Sequence, residues 1–213
     1  VSKNCDFPED VKTKPIIGDY YYINEELLLK IKPKYFLSND KTEFMLIKYK
    51  NSGIKPLYHK YETIEDIYSN ILILGRLTNK EQRAKDIIEE ISEKIKFFNQ
   101  NNRHKGVKIL YLLQSKPIIT IGKKSFITDV IKKSGNISVT AEIDANYPVI
   151  NEEFIIKANP DIIVIDYYCN YEPVRKLFPD KPIIVMNKTQ TDIIDRPGPR
   201  IYKSVELFSN LIF

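Results

Sequence analysis

One pattern of fourteen residues occurs twice in this 213-residue chain, and it constrains the fold more than any other feature. The first copy, NEELLLKIKPKYFL, begins at Asn24, and the second, NEEFIIKANPDIIV, begins 127 residues later at Asn151. Asn, Glu, Glu, Lys and Pro recur at the same spacing, and most positions between them are apolar in both copies. A single recurrence at this distance is not a solenoid repeat. We therefore expect one structural unit that is used in two separate halves of the chain.

Each copy predicts a short helix, a tight turn and a strand. Asn24 and Asn151 are good N-caps, because the side-chain oxygen can accept a hydrogen bond from an unpaired N–H of the first turn. Two glutamates follow in each copy, where the helix dipole favours negative charge. Pro33 and Pro160 then stop the helices. Aromatic and apolar residues, YFL, follow the first proline, and β-branched residues, IIV, follow the second, and both runs are typical of a strand.

The region between the two copies is predicted to be helical. TIEDIYSNILILGRL places its apolar residues on one helical face. The following segment carries a capping-box pattern from Thr78 to Glu81 and a second apolar stripe. At 1.5 Å per residue, the roughly twenty residues from Lys80 to Gln100 would span about 30 Å. A helix of this length between two related units predicts a strut that joins two lobes.

The rest of the chain alternates between strands and helices. VKILYLL, DIIVID and KPIIVMN are predicted as buried strands, and KSFITDVIKKSG is predicted as a helix that ends at Gly135. This alternation indicates an α/β protein with parallel sheets and helices on both faces. We expect an N-terminal lobe over residues 1–62, bridging helices over 63–102 and a C-terminal lobe over 103–213.

Composition and charge exclude several classes of protein. Hydrophobic residues make up 43% of the chain and charged residues 29%, as in an ordinary globular protein. The net charge of +5 is spread over lysine-rich helix faces, and no RNA-binding or zinc-finger motif is present, so we expect no nucleic-acid partner. The sequence shows no transmembrane run and no signal peptide. Cys5 and Cys169 form no CxxC motif, and unpaired thiols are favoured over a disulfide.

Enzyme motifs are missing, and we expect no catalytic residues. TIGKKS resembles the end of a phosphate-binding loop, but Pro117 occupies the position of the first required glycine, and Lys124 follows the lysine where Ser or Thr is needed. His59 and His104 are the only histidines, and nothing near them suggests a base and a nucleophile. Two scattered histidines also make a bare metal site improbable on composition, so we predict none.

Tyrosines are the most informative candidates for a binding site. Tyr20 and Tyr22 precede the first repeated helix in GDYYYIN, and Tyr147 occupies the position equivalent to Tyr20 in the second copy. Tyr168 comes just after a predicted strand, where parallel sheets commonly bind ligands. Matched tyrosines in both lobes favour a shared apolar cleft with hydroxyl groups for orientation. The alternative is that they cap the cores of the lobes.

Charged residues of one loop predict a polar rim for the same cleft. Asp192, Asp195 and Arg196 precede PGPR in the C-terminal lobe. The alternative interpretation of this segment is an ordinary solvated turn.

The ordered set of segments resembles a known family. CDFP, INEELLLKIKP, TIEDIYSNILILGRLTNKEQRA, GKKSFITDVI, YPVINEEFIIKANPDIIVI and RPGPRI occur in that order. Together they resemble the cobalamin- and ferric-siderophore-type solute-binding proteins of ABC importers, the class III proteins with a helical backbone. The resemblance covers nearly the whole chain. It implies two Rossmann-like lobes joined by one long helix, with a metal chelate bound between them.

The resemblance also implies roles for individual residues. Glu26 and Glu153 match the glutamates with which each lobe docks onto one half of the importer permease. The aromatic clamp of the family falls on Tyr20 and Tyr147, and an apolar wall falls on Ile119. CDFP favours a corrinoid such as cobalamin, whereas the absence of tryptophan leaves a ferric siderophore or haem as alternatives.

Further expectations concern the whole protein. Family members begin with a strand and a helix that have no counterpart before VS here, so the N-terminal lobe is expected to be incomplete. The resemblance implies a periplasmic or cell-surface protein that contacts the membrane only through the permease or a removed lipid anchor, with no cofactor besides the ligand. Two alternatives remain open, namely a metallocluster or chelatase enzyme, and a structural remnant that has lost binding.

Overall fold

A computed structural model describes residues 1–19, 22–38, 47, 49 and 52–211, and these fall into two units. The N-terminal unit is Val1–His59, and the C-terminal unit is Lys60–Phe213. Helices and parallel strands in both units confirm the predicted α/β class. The sequence suggested a separate bridge over residues 63–102, whereas the helices of this stretch pack within the C-terminal unit.

The described part of the N-terminal unit contains two strands and two short helices around a small core. A 3₁₀ helix over Glu9–Thr13 precedes helix α1 (Glu25–Ile31), strand β1 (Tyr35–Ser38) and strand β2 (Lys55–Tyr58). The two strands pair in parallel, with Tyr35 opposite Lys55. The buried apolar residues that the structure describes here are Ile23, Leu28, Tyr49 and Ile54. The core of this unit is therefore far smaller than that of its neighbour in the chain.

The C-terminal unit contains most of the regular structure. Its helices are α2 (Ile64–Leu77), α3 (Glu81–Asn101), α4 (Phe126–Lys133), α5 (Glu152–Ala158), α6 (Glu172–Leu177), α7 (Lys188–Ile194) and α8 (Ile201–Ser209). Its strands are β3 (Lys108–Ser115), β4 (Ile118–Thr120), β5 (Ile137–Ser138), β6 (Val149–Ile150), β7 (Ile162–Ile165) and β8 (Ile183–Val185).

The sheet of the C-terminal unit is mixed. Its strand order is β6-β4-β3-β7-β8, and β5 also pairs with β3. Strands β3, β7 and β8 are parallel, as predicted, and β5, which was not predicted, also pairs with β3 in parallel. Strands β4 and β6 add antiparallel pairs that the sequence analysis did not anticipate. Only Lys116 and Pro117 connect β3 to β4. A connection this short permits only antiparallel pairing, because a parallel crossover needs a dozen or more residues.

Both faces of this sheet are covered, as the sequence predicted. Successive side chains of a strand point to opposite faces. Ile109 and Tyr111 of β3 therefore join the core formed with α2, α3, α4 and α8, whereas Leu110 and Leu112 join a second core with α5 and α6. All four side chains are fully buried. The strand is apolar on both sides because helices lie against both sides.

The two copies of the repeated pattern fold alike, which confirms the prediction of a shared unit. The Asn24 side chain accepts a hydrogen bond from Leu27 N–H at 3.0 Å, and the Asn151 side chain accepts one from Phe154 N–H at 2.9 Å. Each helix then ends in the left-handed conformation, at Lys32 with φ 48° and at Asn159 with φ 44°. The proline that follows each of these residues in the sequence marks the same turn in both copies.

One predicted helix cap is wrong. The hydroxyl group of Thr78 donates to the Leu74 carbonyl oxygen at 2.8 Å and so serves the C-terminus of α2. It is therefore not the N-cap of α3, which begins after Lys80 without a side-chain cap. The capping box lies instead at the start of α2, where Thr63 and Asp66 each accept a hydrogen bond from the other's backbone N–H.

Candidate functional site

The repeated helices place a glutamate at the same exposed position in each unit. Glu26 and Glu153 are the second residues of α1 and α5, and both side chains are exposed. Among the described residues, no ion pair neutralises either carboxylate. The helix dipole favours a carboxylate in the first turn but does not require it to stay unpaired. Both glutamates are therefore available to a cationic partner.

A pair of tyrosines lies at the carboxyl end of β7. The rings of Tyr167 and Tyr168 meet edge to face, with their centroids 5.1 Å apart. Although Tyr168 is 66% exposed, its backbone is held firmly, because its N–H donates to Asp166 Oδ1 at 2.8 Å. The N–H of Tyr167 donates to Thr191 Oγ1 at 3.0 Å. Because the two exposed rings are nearly perpendicular, one of them can stack against an apolar ligand face while the other contacts the ligand edge.

A buried polar network supports these tyrosines, and the sequence analysis missed it. Asp166 Oδ2 accepts a hydrogen bond of 3.2 Å from the hydroxyl group of Tyr111, and Tyr111, Asp166 and Thr191 are all buried. Burial, together with the nearby carboxylates, raises the pKa of Tyr111 well above its ordinary value, so the phenol stays protonated and donates. Asp166, the last residue of DIIVID, could have indicated this network in the sequence. A polar residue that directly follows a buried strand lies at the carboxyl edge of the sheet.

Asp195, at the C-terminal end of α7, carries the most perturbed carboxyl group of this edge. Burial by surrounding atoms, then repulsion from Asp166 and Asp192, raises its pKa to about 7, and Arg196 opposes the shift. The Asp195 side chain keeps contact with solvent on one side, and this solvent screens the repulsion from its neighbours. An acid of this kind is partly protonated near neutral pH.

The stability of the fold should respond to the proton on Asp195. Between the ordinary value of 3.8 and about 7, the unfolded chain ionises this group while the folded chain keeps it protonated. The tighter binding of this proton by the folded chain therefore adds its full stabilisation at pH below 3.8, and this stabilisation is lost as the pH rises to about 7. We expect Asp195→Asn to stabilise the protein relative to wild type increasingly over this range, as measured by urea unfolding at several pH values.

Asp180→Asn is the matched control for this experiment. Asp180 is an exposed carboxyl group of the same unit and lies on a surface turn. Its replacement should leave the pH dependence of unfolding unchanged. A difference between Asp195→Asn and wild type that stays constant from pH 4.5 to pH 8 would contradict the perturbed titration of Asp195.

The predicted polar rim lies beside the tyrosine pair. Asp192 accepts from Lys188 Nζ at 2.6 Å and from an Arg196 guanidinium nitrogen at 3.3 Å. Thr191, the neighbour of Asp192, contacts the Tyr167 backbone, so the structure brings Tyr168, Asp192 and Arg196 to one edge of the sheet. The role of these three residues in ligand binding stays a prediction.

The other predicted residues lie elsewhere. Ile119 is half-buried in β4 opposite Val149, and Tyr147 is 55% exposed just before β6, so both belong to the far side of β3 from β7. Tyr22 is exposed in the N-terminal unit, where its N–H donates to Asp19 Oδ1 at 3.0 Å. Tyr20 lies outside the described residues, and so does its predicted pairing with Tyr147.

A cavity of about 810 Å³ lies within the N-terminal unit. Apolar residues that include Ile17, Leu28 and Phe36 line it, and Asp19 in its wall pairs with Lys3 at 3.1 Å. The cavity also borders β1, which pairs with β2 along one edge. Sequence reasoning did not indicate this cavity, because its walls come from segments that the fold alone brings together.

Three further observations bear on the excluded classes. Within residues 1–19, 22–38, 47, 49 and 52–211, no group of three or more His, Cys, Asp or Glu side chains is placed to hold a metal ion. In the same part of the chain, no helix is both long enough and apolar enough to span a membrane. Cys5 is exposed and Cys169 is buried, and both are free thiols.

Comparison with known proteins identifies relatives with two kinds of ligand. The vitamin B12-binding protein of Vibrio parahaemolyticus is 27% identical over 171 residues, which cover 76% of this chain and 60% of that protein. The high-affinity heme uptake system protein IsdE of Staphylococcus aureus is 28% identical over 175 residues, which cover 80% of this chain and 60% of that protein. The chain thus spans about 60% of the length of the curated relatives that it matches.

The fold and the family are both established by these comparisons. A possible iron-binding periplasmic solute-binding protein from Staphylococcus epidermidis superposes with a TM-score of 0.82 at 25% identity, covering 99% of this chain and 88% of that one. The profile of the periplasmic binding protein family matches residues 1–181. The match confirms the resemblance found in the ordered sequence segments. Its matched region includes both copies of the repeated helix, and the chain belongs to the periplasmic binding protein family.

Proposed function

We propose that this protein is the extracytoplasmic substrate-binding component of an ABC importer and that it carries a metal chelate. The observation that carries the proposal is the repeat. Two units present the same exposed glutamate, Glu26 and Glu153, on the same capped helix, and neither forms an ion pair within the described residues. A permease built as a dimer would present the same binding site twice, and two matched carboxylates would fit a cationic site on each half. Membership of the periplasmic binding protein family supports the same role.

The proposed ligand is a bulky metal chelate with an apolar face. The exposed, nearly perpendicular rings of Tyr167 and Tyr168, held on a fixed backbone, are suited to contacting the face and the edge of such a ligand. The CDFP segment favours a corrinoid, and a B12-binding relative supports that choice, whereas a haem-binding relative of similar identity supports haem. A ferric siderophore is the third candidate. The protein itself is proposed to supply binding and delivery, without catalysis.

Thermal unfolding with added chelates tests the proposal. We expect one of cyanocobalamin, haemin or a ferric hydroxamate siderophore to raise the melting temperature, because a ligand at a hundredfold its dissociation constant adds about 2.7 kcal/mol to the stability. Tyr168→Ala and Tyr147→Ala should each make the binding free energy of that ligand less favourable by about 1–3 kcal/mol, the contribution of one buried aromatic side chain. Isothermal titration calorimetry on each variant measures the loss directly.

Tyr171→Ala provides the matched control. Tyr171 is another partly exposed tyrosine of the C-terminal unit, at the N-cap of α6, and it was not predicted to bind ligand. Its replacement should leave the affinity unchanged. If none of the three chelates shifts the melting temperature of the wild-type protein, the protein is a remnant that has lost binding, and the proposed function is wrong.

A further inference from the structure

The repeated helices share a second exposed feature besides their glutamates. Leu29 of α1 and Ile156 of α5 occupy equivalent positions in the two copies, and they are 42% and 70% exposed. The residues just before them, Leu28 and Ile155, are 0% and 1% exposed and anchor each helix in its core. A single exposed aliphatic side chain is normal on a protein surface. Leu29 and Ile156 are both branched aliphatic residues that are exposed at the same register of two matched helices, so the two units present the same kind of apolar contact.

Each exposed aliphatic residue lies next to a docking glutamate. Glu26 and Leu29 are three residues apart on α1, as are Glu153 and Ile156 on α5. Side chains at this spacing are neighbours on a helix surface, with Cβ atoms about 5–6 Å apart. Each unit therefore presents one carboxylate beside one aliphatic side chain. Another exposed isoleucine is not matched in this way. Ile137 of the C-terminal unit is exposed, but the residue 127 positions before it is the polar Asp10.

We propose that Leu29 and Ile156 are docking residues, each seated in an apolar recess beside the cationic group that pairs with Glu26 or Glu153. The partner is a permease dimer that offers this pair of features twice, and the inference rests on the proposed function. Exposed ion pairs contribute little and are screened by salt. An aliphatic side chain that covers the carboxylate on docking removes water from the ion pair and adds an attraction that salt does not screen.

The experiment separates the apolar contribution from the charged one. Docking of the full chain to its permease in nanodiscs is measured by biolayer interferometry over a range of salt concentrations. The Leu29→Gln plus Ile156→Gln variant keeps residues that favour helix formation. We expect it to weaken docking by about tenfold or more at every salt concentration, with the slope of log Kd against log salt unchanged. The Glu26→Gln plus Glu153→Gln variant should instead lose most of its affinity, and any remaining binding should depend less steeply on salt.

Matched controls make every outcome decisive. Ile16→Gln plus Ile137→Gln replaces one exposed isoleucine in each unit and should not change docking. Circular dichroism and the affinity for cyanocobalamin or haemin should be unchanged in all three variants. If the glutamate variant loses docking while the Leu29 and Ile156 variant docks like wild type, the inference is wrong and the proposed partner stands. If wild-type protein does not dock at all, the proposed partner is wrong as well.

Discussion

Replacing both repeated carboxylates, in Glu26→Ala with Glu153→Ala, is expected to abolish docking onto the permease and transport. Truncating one partner of a desolvated interfacial ion pair costs roughly 2–5 kcal/mol, and the double variant removes two such pairs. The interaction of each glutamate with its helix dipole is worth only about 0.3–1 kcal/mol. The melting temperature and the chelate affinity should therefore stay close to those of wild type. Transport into proteoliposomes and biolayer interferometry on the reconstituted permease measure the two losses.

The preceding residue of each helix provides the control. Glu25 and Glu152 lie in the same first turns and interact with the same helix dipoles. Burial, and after it the neighbouring Glu25 carboxylate, raises the pKa of the Tyr49 phenol to about 12, so Glu25 lies close to the core of the N-terminal unit. Glu25→Ala with Glu152→Ala should therefore lower stability more than docking. A double variant of Glu26 and Glu153 that docks normally, or that loses its chelate instead, would show that these glutamates only complement the helix dipoles.

The repeated helices were predictable because their signals are local. An asparagine cap, two acidic residues, an apolar helix and a proline act within one short segment, and the structure reproduces all of them. The left-handed residue at the end of each helix was not predicted. Lys32 and Asn159 adopt this conformation to turn the chain before proline, and lysine gives no signal for it.

The sheet of the C-terminal unit shows where local reasoning stops. DIIVID was correctly identified as a buried strand, because apolar, β-branched runs are typical of parallel strands covered on both faces. KPIIVMN also forms a strand, but the prediction that it is buried is wrong, because β8 lies at the edge of the sheet and Val185 is exposed. The antiparallel strand β4 was not predicted, since KPIIT reads equally well as the end of a loop. Its pairing with β3 depends on which segments meet in space.

The candidate ligand surface was predicted in part for the same reason. Tyr168 stands out because it follows a buried strand directly. Thr191, which accepts a hydrogen bond from the preceding tyrosine's N–H, is 24 residues further along the chain, and a threonine within a helix carries no sign of that contact. The supporting network therefore became visible only once the fold had brought β7 and α7 together.

The same truncation at equivalent buried positions should have different consequences in the two units. Leu28→Ala and Ile155→Ala each remove a fully buried aliphatic side chain, which typically costs 2–5 kcal/mol. At roughly 0.05–0.15 kcal/mol per residue, a unit of 59 residues has a total stability of about 3–9 kcal/mol. Because its described core is small, the N-terminal unit should lie at the low end of this range, and Leu28→Ala is therefore expected to unfold it. Ile155→Ala should only lower the melting temperature of the C-terminal unit.

Hydrogen exchange distinguishes the two outcomes, because it reports the opening of each unit separately. In Leu28→Ala, amide protection in β1 and β2 should fall to that of an unfolded chain, while β3 and β7 stay protected. The small described core of Ile23, Leu28, Tyr49 and Ile54 has few apolar contacts to compensate for the cavity. In Ile155→Ala, the remaining members of its core, including Leu110, Ile163 and Phe178, still bury the sheet.

Leu29→Ala and Ile156→Ala provide the control, because both side chains lie on the exposed face of the same helices. Each should change stability by less than about 0.5 kcal/mol. Equal loss of protection in both units after Leu28→Ala would show that they unfold as one, and the small core would then not set the stability of the N-terminal unit.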